Sequence, residues 1–208
     1  MNSSKVLTIV AVFAIALAAF NLIITMNKVG KLTGFAANEG NASLIVQSTV
    51  SLNFTTNNIN WSSGYVNSTC SNAFLDSEGN GGPGNCDVNW IAQANGLILR
   101  NEGNINVSVA LQSDKNAAAF IGGSTGGGPI YNWKVRNNET GSCVSGLNPI
   151  VYTSVSTTPI TICSNLGSQY GGNANTDSLR IDVNITIPSD AYTPSFKISK
   201  LTATGTAI

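Results

Sequence analysis

Four cysteines are the residues of this 208-residue chain whose spacing most directly suggests chemistry. Cys70, Cys86, Cys143 and Cys163 form an even set without the close Cys-x-x-Cys pairs of a zinc site. Three pairings are possible, and we favour the local ones, Cys70–Cys86 and Cys143–Cys163. Each would close a loop of roughly 15–20 residues, worth about 3 kcal/mol in the chain-entropy model. Disulfides indicate an extracellular compartment, whereas four buried thiols would fit an intracellular protein.

Asn-x-Ser/Thr sequons are the second chemical signal, since each is an acceptor for an N-linked glycan. Three of these asparagines fall on the polar phase of predicted strands, where their side chains are expected to face solvent: Asn53, Asn106 and Asn184. We therefore expect glycans on some of the sites. The sequons begin at Asn2, Asn41, Asn53, Asn60, Asn67, Asn106, Asn138 and Asn184.

Catalytic patterns are missing from the sequence. The chain has no histidine, so serine and cysteine nucleophiles lack their usual base. The glycine-rich run GGSTGGGP, residues 122–129, lacks the Lys-Ser/Thr of a phosphate loop. No basic patch suggests nucleic acid as a partner. We expect a protein that is not an enzyme, with no cofactor and no resident metal.

One weak metal pattern is DSEGNGGPGNCD, residues 76–87. It places oxygen ligands at positions 1, 3, 5 and 12 of a calcium loop, with Gly81 at position 6. Pro83 and Cys86 interrupt the loop and no helices flank it, so a glycine-rich surface loop is the favoured interpretation. The candidate ligands are Asp76, Glu78, Asn80 and Asp87.

The elements that would position these residues begin with an uncharged run of 21 residues, Val6 to Met26. As a helix it would be about 31 Å long, close to the thickness of a bilayer's hydrocarbon core. We expect the helix to continue past Lys28 and Lys31 and to end near Gly34, a candidate C-cap. Residues 1–35 are therefore predicted to form a hydrophobic helical segment, in a filament core or a membrane.

After this run the hydrophobic period changes to two, which predicts strands. Alternation is clearest at 44–54, 105–111 and 179–187, and glycine-rich runs supply turns. The predicted fold class is α+β, with a long N-terminal hydrophobic α-helix followed by an all-β antiparallel, Ig-like sandwich head over residues 36–208. Shorter strands are predicted at 88–92, 96–100, 117–121, 130–136, 150–155, 159–163 and 196–204.

Two stripes along the predicted helix favour protein neighbours over lipid. Small and polar residues recur at alternating spacings of three and four, and a bulky stripe of the same spacing lies beside them. Bulky side chains of one copy can pack against the small stripe of the next. The predicted assembly interface has a small stripe, Ala11, Ala14, Ala18, Asn21 and Thr25, and a bulky stripe, Val10, Phe13, Leu17, Phe20 and Ile24.

This organisation resembles the type IV pilin superfamily, and its archaeal pilins and archaellins in particular. The matching features are the polar start MNSSK, the uncharged helix, the Lys-flanked extension and the β head. Lys5 stands near the start of the helix, where bacterial pilins carry a glutamate, and the basic-Gly processing site is absent. The resemblance implies a homopolymeric extracellular filament whose subunits are membrane-inserted before assembly and carry glycosylated heads.

Two other functions fit the same hydrophobic run. It could be a cleaved secretory signal, with a cleavage site after Ala18. It could also anchor a monomeric cell-surface glycoprotein whose head binds a ligand or a neighbouring cell. Lys5 and the amino terminus on one side balance Lys28 and Lys31 on the other, so the positive-inside rule gives no orientation.

Overall fold

The computed structural model describes residues 3–32, 44–81, 85–170, 176–191 and 197–208, with the side chains of the first range described over residues 10–24. The chain divides into two compact units, Met1–Val46 and Gln47–Ile208. The predicted domain boundary between residues 35 and 36 stays a prediction.

The first unit contains helix α1, Ser3–Leu32. The second contains a four-residue helix, α2, at Ala117–Phe120, and a 3₁₀ turn at Thr125–Gly127. Its strands are β1 Leu52–Thr56, β2 Tyr65–Val66, β3 Asn72–Asp76, β4 Asp87–Val88, β5 Leu97–Asn101, β6 Val107–Ser113, β7 Ile130–Asn137, β8 Cys143–Ser145, β9 Thr153–Ser154, β10 Ile160–Leu166, β11 Ser178–Pro188 and β12 Leu201–Ala207.

The predicted α+β class with a long hydrophobic helix is wrong. Among the residues described with their side chains, 38% lie in strands, α1 contributes 15 residues, and the sheets are antiparallel, so the protein is mostly β. The uncharged run predicts only one helix, which is a small part of the chain. The strands form the sheets and supply most of the buried core residues. Within the described residues, no helix combines the length and apolar character needed to cross a bilayer.

The strands form three antiparallel sheets. The six-stranded sheet has the order β1-β5-β11-β7-β9, with β3 also paired to β11. The four-stranded sheet has the order β12-β6-β10-β8, and β2 pairs with β4. An Ig constant domain has sheets of four and three strands. The predicted Ig-like arrangement therefore differs from the observed one.

One hydrophobic core lies between the two larger sheets. Leu99, Trp133 and Leu179 from the six-stranded sheet are buried in the same cluster as Val109 and Ile162 from the four-stranded sheet. In β6, burial alternates along the whole strand, as the period-two pattern predicts. The β unit thus has an apolar interior of its own.

Several stretches depart from the predicted strands, including 88–92, where the two-residue strand β4 ends at Val88. The predicted strand at 117–121 is helix α2 with Ile121 as its C-cap, because the Asn116 side chain caps the backbone N–H of Ala119 and the alanines that follow favour helix. Residues 44–51 form no strand, and β1 begins only at Leu52. Leu44, Ile45 and Val46 are 87%, 86% and 74% exposed, so alternation there does not separate a core face from a solvent face.

Candidate functional site

Helix α1 exposes its apolar side chains in every direction. All residues from 10 to 24 are exposed, including Phe13 at 69% and Ile15 at 70%. Both predicted stripes lie on this surface, except that the side chain of Thr25 is outside the described residues. A helix that is apolar all round is normally covered by protein or lipid. The surface of α1 is therefore a candidate assembly interface.

The two predicted disulfides are present. Cys70 bonds to Cys86, and Cys143 bonds to Cys163. Their cysteines are 16 and 20 residues apart in the chain, so both pairings are local. The second bond lies in the four-stranded sheet, where β8 and β10 pair. Two disulfides indicate an extracellular or secreted protein.

The sequon asparagines differ in their access to solvent. Asn53, Asn60 and Asn138 are exposed, whereas Asn67 and Asn106 are half-buried. The Oδ1 atom of Asn60 accepts a hydrogen bond from the backbone N–H of Ser62, and its Nδ2 donates none within the described residues. Asn2 and Asn41 lie outside the described residues.

The prediction that Asn184 faces solvent is wrong. Its side chain is only 8% exposed, and its Oδ1 accepts no hydrogen bond within the described residues. Asn184 lies on β11, the central strand, directly between Asp76 of β3 and Asn132 of β7. A strand flanked on both edges and covered on both faces has no solvent-facing phase, so alternation does not identify an accessible side chain there.

The candidate calcium ligands do not converge. Both carboxylate oxygens of Asp76 accept hydrogen bonds within its own turn, from the backbone N–H groups of Glu78 and Asn80 and from the Asn80 side chain. Glu78 instead accepts hydrogen bonds from Lys134 and Tyr152, and Asp87 belongs to β4. In the described part of the chain, no group of three His, Cys, Asp or Glu side chains is arranged to hold a metal ion.

A charged cluster on the six-stranded sheet was missed by the sequence analysis. The buried carboxylate of Asp182 accepts hydrogen bonds from Arg180 Nε at 2.7 Å and from Ser77 Oγ at 3.1 Å. Its second oxygen lies 3.0 Å from Arg136 Nε, as an ion pair without an aligned hydrogen bond. Arg180 and Asp182 alternate on β11 opposite Arg136 and Lys134, a pairing visible only once the strand register is known.

Glu78 extends this cluster at its exposed side. Burial opposes ionisation of the carboxyl, but hydrogen bonds from Lys134 and Tyr152 and the charges of Lys134 and Arg136 outweigh it, so the pKa of Glu78 is lowered. Burial of the phenol, followed by its hydrogen bond to the same carboxylate, raises the pKa of Tyr152. The ion pairs of Glu78 with Lys134 and Arg136 link the turn after β3 to β7. Its bases and acids pair with each other, which favours a structural role.

A cleft of about 990 Å³ opens beside the second apolar cluster of the β unit. Its lining includes Trp61, Trp90, Phe120 and Tyr131, with Lys197 and Lys200 among the residues at its edge. The Trp61 indole N–H donates to the backbone carbonyl of Asp76 and is therefore satisfied. Such a concave aromatic surface is the shape that small-ligand sites take.

No protein-family model, no curated protein and no solved structure matches this chain.

Proposed function

We propose that this chain is the structural subunit of an extracellular filament of the type IV pilus kind. In this proposal copies polymerise through α1 and expose the β unit for surface adhesion or motility. The observation that carries it is the apolar, solvent-exposed surface of α1 over residues 10–24. A second unit with its own core has no need of that helix for its stability.

Exposure of the apolar side chains of α1 to water carries a large unfavourable free energy, so the helix is expected to be covered. Each large apolar side chain gains roughly 1.5–3 kcal/mol when it is fully buried, so the partly exposed set on α1 is worth on the order of 10–20 kcal/mol. Only a cover provided by other molecules recovers this energy. The side chains concerned are Val10, Val12, Phe13, Ile15, Leu17, Phe20, Leu22, Ile23 and Ile24.

Other copies of α1 are the neighbours that best match its surface, which has a stripe of small residues beside a stripe of bulky ones. Ala14 and Ala18 form a shallow strip beside the bulky side chains of Phe13 and Leu17. Close helix packing needs small residues where backbones approach, whereas lipid makes no such demand. The proposal includes a membrane-inserted stage before assembly, with transfer from lipid to protein neighbours as the subunit joins the filament.

The β unit contributes the outward surface of the proposed filament. Its disulfides suit an extracellular setting, and the exposed amides of Asn53, Asn60 and Asn138 are the acceptors that N-linked glycans would reach most easily. Asn184 is left out of the proposal because of its burial. Glycans on the unit would then project from the filament surface.

The alternative is a monomeric cell-surface glycoprotein that is anchored by the same helix and binds a ligand with its head. The aromatic cleft near Trp61 and Trp90 is the observation that favours it. In this alternative α1 serves as an anchor alone, and the protein forms no polymer.

Electron microscopy of cell-surface shear fractions separates the two functions. We expect negatively stained filaments in which this chain is the main subunit, identified by mass spectrometry of the purified fraction. Intact-mass measurement of the same fraction should show added sugar. Recovery of the protein only in membranes, with no filaments in the sheared material, would contradict the filament proposal and favour the anchored monomer.

A further inference from the structure

The sequon at Asn67 is hydrogen-bonded to residues 85 and 86, at the opposite end of the loop closed by the Cys70–Cys86 disulfide. Asn67 Nδ2 donates a hydrogen bond of 2.9 Å to the carbonyl of Asn85, the residue before Cys86. The backbone N–H of Asn67 donates to the carbonyl of Cys86, also at 2.9 Å. Because Cys86 is bonded to Cys70, three residues after Asn67, the sequon and its partner strand are covalently held together.

Other polar atoms of Asn67 and Thr69 are also engaged. Asn67 Oδ1 accepts hydrogen bonds from both the backbone N–H and the hydroxyl of Thr69, each at 3.2 Å. The N–H of Cys70 donates to the carbonyl of Asn67 at 2.9 Å. The side chain is half-buried. Asn67 therefore differs from Asn60, whose amide nitrogen donates no hydrogen bond within the described residues.

Glycan transfer needs the same nitrogen. Nδ2 must attack the anomeric carbon of a lipid phosphate-linked oligosaccharide: the N–C bond forms, the C–O bond to phosphate breaks, and the lipid phosphate leaves with the bonding electron pair. One Nδ2 proton is lost to a base of the transferase. The Asn67 amide has to leave Asn85 and turn outward before this can happen, and an intact Cys70–Cys86 bond keeps the two segments together.

We propose that closure of the Cys70–Cys86 disulfide and glycan transfer compete for Asn67. Closure proceeds by exchange with the disulfide of a thiol oxidoreductase, which takes up the two electrons and two protons of the cysteine thiols and leaves as a dithiol. Before the bond closes, Asn67 is an acceptor like the other sequons; after it closes, the amide is withdrawn into the loop. Occupancy at Asn67 thus reports which event came first. This inference rests on the glycosylation included in the proposed function.

The test compares site occupancy by glycopeptide mass spectrometry in three proteins made in cells that glycosylate exported sequons. These are the unaltered chain, the Cys70→Ser/Cys86→Ser variant and the matched Cys143→Ser/Cys163→Ser variant, which opens the other disulfide. Occupancy at Asn67 is expressed relative to Asn60 in the same molecules, because Asn60 is exposed and its Nδ2 donates no hydrogen bond within the described residues. A general change in folding then cancels in the ratio.

We expect a low ratio for Asn67 in the unaltered chain, a higher ratio when Cys70 and Cys86 are replaced, and no rise in the matched variant. Equal ratios in the three proteins, or an equal rise in both variants, would overturn the inference while leaving the glycosylated filament in place. Absence of sugar from every site would overturn both the inference and the glycan part of the proposed function, and filaments would still be testable by microscopy.

Discussion

At the scale of single residues, the buried carboxylate of Asp182 brings two arginines together. The carboxylate is fully buried and faces Arg180, Arg136 and the hydroxyl of Ser77. Ser77 also accepts a hydrogen bond from the backbone N–H of Val183 and donates its own N–H to the Val183 carbonyl. The turn after β3 is therefore fastened to β11 through one serine and one aspartate.

Asp182→Ala should destabilise the β unit strongly, because it leaves Nε of Arg180 and the hydroxyl of Ser77 without their acceptor and removes the ion-pair partner of Arg136. Removing one partner of a buried pair typically costs about 3–5 kcal/mol. The free energy of unfolding in urea measures the effect. Glu102→Ala, which removes an exposed carboxylate bonded to Asn53, serves as a control with an expected change of about 0.5 kcal/mol or less. Similar losses from both variants would contradict the role given to Asp182.

Glu78 should make stability depend on pH in the acid range. Its pKa is lowered in the folded protein from an ordinary value of 4.5, so its stabilising effect is complete above that value and is lost as the pH falls through the lower folded pKa. Glu78→Gln should therefore cost about 0.5–1.5 kcal/mol at pH 7 and less at pH 3, which lies below the ordinary pKa of the carboxyl. Urea unfolding at both pH values measures the difference.

Tyr152→Phe provides the companion variant, since it removes only the phenol hydrogen bond to Glu78. Tyr152→Phe should also lower the free energy of unfolding, and this loss should vary less with pH than the loss caused by Glu78→Gln. A difference between Glu78→Gln and the unaltered protein that stays constant with pH would exclude the proposed linkage.

At the scale of elements, the disulfide between β8 and β10 supports the short edge strand of the four-stranded sheet. β8 has three residues, and its pairing with β10 includes a register irregularity. Cys143 and Cys163 are both buried in the core shared by the two larger sheets. The disulfide thus stabilises the pairing of edge strand β8 with β10, a pairing too short to form many backbone hydrogen bonds.

Cys143→Ser/Cys163→Ser should lower the free energy of unfolding by about 2–4 kcal/mol, since opening this loop increases the conformational entropy of the unfolded chain. Thermal and urea unfolding under non-reducing conditions measure the loss. The unaltered protein treated with a reductant should approach the stability of the variant. An unchanged unfolding midpoint would show that the sheet edge holds without the bond.

At the scale of the whole molecule, the chain combines a β unit with its own core and a helix whose apolar surface is uncovered. Large contiguous apolar patches that are exposed on a protein surface mark interaction sites. If copies of α1 cover one another, the packing error introduced by a single substitution recurs in every subunit.

Ala14→Phe and Ala18→Phe should each abolish or greatly reduce filaments, because a ring on the small stripe blocks the approach of a neighbouring helix. Overpacking typically costs about 1–3 kcal/mol per site. Ala16→Phe is the matched control: at 3.6 residues per turn it lies on roughly the opposite side of α1, so it should reduce assembly less. Filament number and length in shear fractions, normalised to subunit abundance, are the measurements. Normal filaments from Ala14→Phe and Ala18→Phe would contradict assembly through the small stripe.

The sequence by itself determined the features that depend on local chain properties. The disulfide pairs follow from loop lengths, and β6, β7 and most of β11 follow from alternation and turn residues. Strands β2, β3 and β8 were not predicted, and β2 and β8 are too short to show alternation. Local rules also misassigned residues 117–121, where one Asn116 cap outweighed the apolar run.

Only the tertiary structure decided which polar side chains are accessible and which charges meet. Asn184 has the same alternating position as Asn53, yet β11 is central and β1 is an edge, so one amide is buried and the other exposed. Arg136, Arg180 and Asp182 meet because strand register brings β7 and β11 together. Register and neighbouring strands are long-range properties, and a period of two along one strand contains no information about either.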